Sequence, residues 1–277
     1  MSRIPLIGRL YLGFVALLVV GPFVPLVIQS LAFRWAWPDV LPETWWWEGR
    51  ERAFAPLAWD YVLSPYSRVW EATLNTVGIG LAVTAICLAV SLPAARALAR
   101  ERFRGKALVE WGVSLPLIVP EAAIGLALLM IFIRLGLAGS YLGIVIAHLI
   151  PTIPYMVRML TAVWQGLGPE YEEAAALLGA SRWQTLRRVT LPMLMPGVVA
   201  GMLFVFLVST NVFLLTFLLG QGDVVTLPTL LFAKVSGGTL DASAAGIALV
   251  VTLPGVALLL AMDRLVHEEA LGRGFGG

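Results

Sequence analysis

Charge is what this sequence has least of. Only 13% of its 277 residues are Asp, Glu, Lys or Arg, against 59% hydrophobic residues and a mean hydropathy of +0.88. A water-facing globular chain carries about 25% charged residues, so the solvent expected here is a bilayer. Cysteine is almost absent as well. Cys87 stands alone, which excludes a disulfide framework and a Cys-rich metal site. The two histidines, His148 and His267, are too few and too separate for a metal cluster, and no cofactor is expected. The chain has no GxxxxGK[ST] loop to hold nucleotide phosphates, no internal repeat, and no period-two alternation of the kind a membrane barrel needs.

Long apolar runs take the place of charge. A helix needs ~20 apolar residues to cross a hydrocarbon core, and runs near that length lie at Leu10 to Phe33, Ala72 to Ala95, Leu108 to Ile133, Ser140 to Leu160, Gly197 to Leu219 and Ala242 to Met262. Lipid offers the backbone no hydrogen-bond partners, so these runs predict helices. The expected fold is all-α and polytopic, with six transmembrane helices in a single domain. The first run follows Arg3 and Arg9 without a clear small-residue cleavage site, and reads as a retained helix.

Basic residues give the orientation. Arg96, Arg100, Arg102, Arg104 and Lys106 follow the second run, and Arg158, Arg182, Arg187 and Arg188 lie between the fourth and fifth. By the positive-inside rule both loops, and both termini, are expected on the cytoplasmic side of the membrane. Residues 1–71 then comprise the first helix and an external loop with Trp35, Trp37, Trp45, Trp46 and Trp47, a density suited to the lipid headgroup layer. Small-residue spacings at Gly139/Gly143 and Gly197/Gly201 predict close helix packing.

One segment breaks the pattern: EYEEAAALLGASRWQTLRRVTLPMLMPG, Glu170 to Gly197. Pro169 suits the first position of a helix, and Glu170, Glu172 and Glu173 place acids in its first turn, where the helix dipole favours them. Tyr171, Ala174, Ala175 and Leu178 fall on one narrow apolar face. Gly179 stops the helix, and Ser181 with Gln184 predicts a capping box that opens a second one. That second helix is expected to carry Arg187 and Arg188 at its C-terminus and to end at Pro192 and Pro196. The first helix, only about 13 Å long at ~1.5 Å per residue, has the form of an element that docks into a groove on another protein.

The order Glu173-Ala174-Ala175, then Gly179, Ala180 and Val189-x-Leu191-Pro192, resembles the EAA loop of the membrane subunits of binding-protein-dependent ABC importers of type I. Val189 stands where isoleucine is more usual. The resemblance covers about residues 72–265, with 165–196 as the cytoplasmic coupling loop. The stretches PEAAIGLALLMIF, HLIPTIPYMVRM and STNVFLLTFLLGQGDVVTLPTLLF are similar to permeases of the spermidine/putrescine type. The resemblance implies a permease subunit that does no chemistry itself. It implies a cytoplasmic ABC ATPase dimer as partner, a second permease subunit, more often a related chain than an identical copy, and an external binding protein that delivers the solute. Glu172, Glu173, Ala174, Ala175, Gly179, Ala180, Leu191 and Pro192 become the expected ATPase-coupling residues. A polyamine-like solute is favoured, with phosphonate, opine, iron or oxyanion as alternatives. Membrane lipid is the only other partner expected; nucleic acid is not.

Polar residues inside spans are candidates for the solute path. Glu121 follows Pro120, and its alternative is a helix-start charge; Ser209, Thr210 and Asn211 form the most polar cluster in a span, with interhelical hydrogen bonding as the alternative. His148 has the same two readings. Asn75 and Thr76 read as a helix cap and Arg158 as an interfacial side chain. An ion-coupled secondary transporter would show repeated halves with paired acids, and an intramembrane hydrolase a nucleophile with its base; the sequence shows neither.

Overall fold

The computed structural model describes residues 6–36, 38–49, 57–237 and 240–274, with the backbone alone at 259 and 261–274. Trp37, residues 50–56 and the side chain of His267 lie outside the described residues. The chain is helical almost throughout. Among the described residues four helical runs are long and apolar enough to cross a membrane, Leu6–Leu31, Val69–Arg100, Tyr141–Gly166 and Arg182–Asn211, and five if one bent pair counts as a span.

The elements are α1 (Leu6–Val20), α2 (Phe23–Leu31), a two-stranded antiparallel sheet of β1 (Ala32–Arg34) and β2 (Thr44–Trp45), α3 (Trp46–Gly49), α4 (Ala58–Leu63), α5 (Val69–Arg100), α6 (Lys106–Ser114), α7 (Glu121–Leu135) and α8 (Tyr141–Gly166). They continue with α9 (Glu170–Leu177), α10 (Arg182–Thr185), α11 (Leu191–Asn211), α12 (Leu214–Gly220), α13 (Leu227–Ser236) and α14 (Ala242–Gly274).

Two expected spans are broken. The run from Leu108 to Ile133 is two segments, Lys106–Leu117 and Glu121–Leu135, bent by 94°. Pro116 sits in a 3₁₀ turn and Pro120 adopts φ −55°, ψ 132°, so two missing amides and an extended residue end one helix before the next begins. The run from Gly197 to Leu219 also differs: its helix starts earlier, at Arg182, and stops at Asn211, before α12 resumes at Leu214. No proline causes this second break. Thr210 Oγ1 and Asn211 Nδ2 both donate to the Leu207 carbonyl, at 3.0 and 2.8 Å, and Thr216 Oγ1 donates to that of Val212 at 3.3 Å, so short polar side chains take over backbone acceptors. The last run extends past Met262 in one 33-residue helix.

Contacts divide the chain into two compact units, Met1–Thr73 with Leu230–Leu253, and Leu74–Thr229 with Pro254–Gly277. In the first, Trp45 stacks on Trp47 at 5.1 Å with Trp46 edge-on to it, and Trp35 Nε1 donates to the Asp39 carbonyl. Lys234 pairs with Asp241 at 3.0 Å and lies 4.9 Å from the Tyr61 ring centre, while Asp241 also accepts from the Ala244 amide at the start of α14.

In the second unit α5, α8 and α11 pack around Ile79, Val83, Met156, Leu160, Leu194 and Val205. Gly197 and Gly201 face Val163 and Met156, where a Cβ would collide, so the α8–α11 approach depends on the second small-residue pair. The first pair does not act this way. Gly139 sits at φ +72° in the turn before α8, and Gly143 makes room for the Leu137 carbonyl. Asn75 and Thr76 are not a cap, since α5 begins at Val69. Asn75 joins the Val225 carbonyl and the Tyr141 hydroxyl at 2.8 and 2.6 Å, and Thr76 accepts from the Leu227 amide, so together they hold the loop before α13.

Candidate functional site

The charged segment folds as its local signals dictate. Pro169 already has helical dihedrals, φ −67° and ψ −19°, and the three glutamates occupy the first turn of α9. At the far end Gly179 takes φ +79°, the Ala180 amide donates to the Ala175 carbonyl, and the Gly179 amide to that of Ala176. This is a Schellman cap, in which a glycine carries the left-handed residue at no steric cost. Ser181 and Gln184 then close a reciprocal capping box, at 2.8 and 3.3 Å. The second helix does not end at Pro192 and Pro196. α10 passes through a π turn, Leu186–Thr190, into α11, and the Leu191 amide donates to the Leu186 carbonyl. The wider turn shifts the bonding register just before Pro192, whose missing N–H would otherwise interrupt it. Arg187 and Arg188 therefore lie inside a continuous helix rather than at a C-terminus.

The eight residues expected to meet an ATPase fall into two sets. Glu173, Ala174, Gly179 and Pro192 are exposed; Glu172, Ala175, Ala180 and Leu191 are buried or half-buried. Glu172 turns inward, its carboxylate accepting from the Thr190 hydroxyl at 2.9 Å. Thr190 itself is 1% exposed. The predicted narrow apolar face is bare except at Ala175. Leu177 and Leu178 are each 89% exposed, Trp183 68% and Tyr171 49%. Burying one such side chain is worth about 1.5–3 kcal/mol, so this patch on a charged helix has the composition of a docking surface.

The base of this helix is tied to α5. Arg100 Nη2 donates to the Leu167 carbonyl, and the guanidinium carbons of Arg96 and Arg100 lie 5.8 and 5.9 Å from the ring centre of Trp164. Trp164 is 1% exposed, in the last turns of α8. Sequence reading found α9 and missed these supports: Thr190 lies 18 residues from Glu172, and Arg100 lies 67 from Leu167.

The candidate path residues separate. His148, Ser209 and Thr210 are buried together. His148 Nδ1 is 3.0 Å from Ser209 Oγ and Nε2 is 2.8 Å from Thr216 Oγ1, while the space they enclose with Thr76, Ile79, Val212 and Thr226 has no room for a water molecule. Asn211 is exposed in the last turn of α11, with its amide on the Leu207 carbonyl. Glu121 is also exposed. It opens α7, and its carboxylate lies 3.4 Å from the Leu215 amide, so one acid serves the N-termini of α7 and α12. Arg158 donates through Nε and Nη2 to Ser114 Oγ, at 3.2 and 2.7 Å, beside a cavity of about 320 Å³ that Glu110, Thr161 and Gln165 also line.

Residues 73–268 match the family described as binding-protein-dependent transport system inner membrane component. The chain belongs to this family. Relatives include the molybdenum transport system permease protein ModB of Mycobacterium bovis, 36% identical over 170 residues, 57% of this chain and 64% of that one. The chain thus spans less than two thirds of the mycobacterial relative. The sulfate transport system permease protein CysT of Escherichia coli is 31% identical, over 72% of this chain and 69% of its own. The ModB of Escherichia coli is 30% identical, over 74% and 93%. Among solved structures, a bacterial ABC transporter involved in the import of the acidic polysaccharide alginate aligns with a TM-score of 0.72 at 17% identity, covering 95% of this chain and 99% of that one. At that identity the likeness shows the fold alone.

Proposed function

We propose that this chain is the permease subunit of an ATP-driven importer and that α9 is its docking element for a separate ABC ATPase. The observation that carries this reading is the exposed helix itself. It presents Ala174 and two bare leucines at its C-terminal end outward, with Trp183 of α10 also exposed, while Glu172 and Ala175 anchor it to the body. Glu173 offers a charge to the partner and Gly179 the turn. The partners are an ATPase dimer, a second permease subunit, more often a related chain than a copy, and an external solute-binding protein. Both termini lie in the cytoplasm, on the side of the Arg- and Lys-rich loops.

The relatives named above belong to molybdenum and sulfate systems, which favours a small oxyanion over a polyamine as solute. Glu121 favours the second reading, because it is exposed at a helix break and makes no ion pair among the described residues. The solute passes the two breaks, where Glu121 and Asn211 are the exposed polar side chains. Crosslinking from Ala174 to the ATPase tests the docking role: a product with the nucleotide-binding subunit supports it, and labelling of Ala174 from the external side ends it. Uptake of [³⁵S]sulfate, with molybdate and spermidine as competitors, tests the solute class. Inhibition by spermidine alone would select the polyamine.

A further inference from the structure

His148 connects the two halves of a broken span. Its Nδ1 meets Ser209 Oγ, three residues before Val212, and its Nε2 meets Thr216 Oγ1, four residues after it. Ser209 lies in the last turn of α11 and Thr216 in the first turn of α12, so one imidazole spans the break. Thr216 Oγ1 also lies 3.3 Å from the Val212 carbonyl. With its hydrogen there, Thr216 accepts from His148 Nε2–H and Nδ1 accepts from the Ser209 hydroxyl, an arrangement that leaves no polar group of the cluster unpaired. With the ring in place there is no room for water among these groups, so the contacts between them are direct.

The other end of the connection runs along α8. The His148 carbonyl accepts from Thr152 Oγ1 at 2.6 Å, and that hydroxyl is 3.2 Å from Cys87 Sγ on α5. From His148 the same helix continues to Gly166, where the chain enters Pro169 and α9. The intervening 18 residues, Pro151 and Pro154 among them, stay helical and span about 27 Å along the helix at 1.5 Å per residue. α8 thus joins α9 at one end and, through one buried side chain, both sides of the break at the other.

We propose that His148 is a positioning residue that passes the motion of α8 to the α11–α12 break and so sets the opening of the solute path. This rests on the importer reading above. The geometry separates it from a cargo contact: the side chain is 1% exposed and both nitrogens are taken by hydroxyls.

The test uses the assembled complex of permease, ATPase and binding protein in liposomes. It measures [³⁵S]sulfate, or whichever solute the wild-type complex carries, moved per ATP hydrolysed. His148→Phe keeps the ring's bulk and removes both nitrogens; His148→Gln returns one donor and one acceptor. A lost coupling of ordinary size corresponds to about 5-fold or more, so His148→Phe is expected to lower solute per ATP by at least that factor and His148→Gln to restore part of it. Thr216→Val paired with Ser209→Ala is expected to reproduce the loss with the histidine in place, and it carries the test should His148→Phe fail to assemble. A wild-type ratio in His148→Phe, or in the hydroxyl double variant, overturns the proposal, as does a raised solute KM with an unchanged ratio. If the wild-type complex itself shows no binding-protein-stimulated hydrolysis, the importer reading falls instead.

Discussion

The Thr190 hydroxyl donates to the Glu172 carboxylate across 2.9 Å, joining the short exposed helix to the π turn at the foot of α11. α9 is therefore anchored at its end to α8 and through its side to α11.

Removing the hydroxyl separates these attachments. A hydrogen bond to a charged group contributes about 1.5–3 kcal/mol, so Thr190→Val should lower binding-protein-stimulated ATP hydrolysis of the complex by roughly tenfold or more while leaving membrane insertion unchanged. Thr190→Ser, which keeps the donor, should stay near wild type. ATPase assays on the reconstituted complex check both.

Gly179→Val attacks the other end of α9. The residue sits at φ +79° with open space around it, so the cost is conformational rather than steric crowding. A β-branched residue in that region is disfavoured by about 1–2 kcal/mol or more, and the cap that terminates α9 should be lost. Stimulated hydrolysis is expected to disappear with the protein still inserted, while Gly179→Asn, which tolerates the conformation, should retain most of it. Stimulated ATPase rate and membrane fractionation together read the result.

What the sequence disclosed and what it concealed divide by distance along the chain. Pro169, Gly179 and the Ser181–Gln184 box act within one turn, so α9 and its caps were legible before any coordinates. Thr190 was not, because a threonine 18 residues from Glu172 carries no pattern that names its partner. The α11–α12 break was hidden for another reason. No proline or charge interrupts Gly197 to Leu219, and the hydroxyls and amide of Ser209, Thr210, Asn211 and Thr216 were the hint that backbone acceptors there had alternatives. Pro116 and Pro120 were visible, but a membrane helix can absorb prolines, and the 94° bend follows from the extended conformation that Pro120 takes just before α7. Of the path candidates, Glu121 and Asn211 reach the surface, and His148, Ser209 and Thr210 engage within the fold.

Trp164 should be the costliest single side chain to remove near α9. It is 1% exposed, packed with Leu160 and Leu167 and flanked by Arg96 and Arg100. Truncating a buried Trp to Ala costs about 3–5 kcal/mol, so Trp164→Ala should lower the midpoint of thermal inactivation in detergent by several degrees and reduce yield of the assembled complex. Trp164→Phe should lose less, since an aromatic face remains for the two guanidinium groups. Thermal inactivation followed by size-exclusion chromatography measures both.

Glu121 offers a test of the solute class. Its carboxylate stands before the amides of α12 at 3.4 Å while opening α7 itself, a position that favours negative charge without requiring a cationic cargo. Glu121→Gln keeps an oxygen that can accept from the Leu215 amide and removes only the charge. If the carboxylate serves the helix ends, this variant should lose only about 0.3–1 kcal/mol of stability and leave the solute KM near wild type, whereas Glu121→Ala should destabilise further. For an oxyanion crossing the same break, loss of the negative charge should hold or improve uptake. A polyamine would respond in the opposite sense, with KM raised in Glu121→Gln and the effect weakened by salt, because attraction between an exposed carboxylate and a mobile cation is screened over about 10 Å at 0.1 M ionic strength. Sulfate and spermidine uptake at two salt concentrations separates the two cases on one substitution.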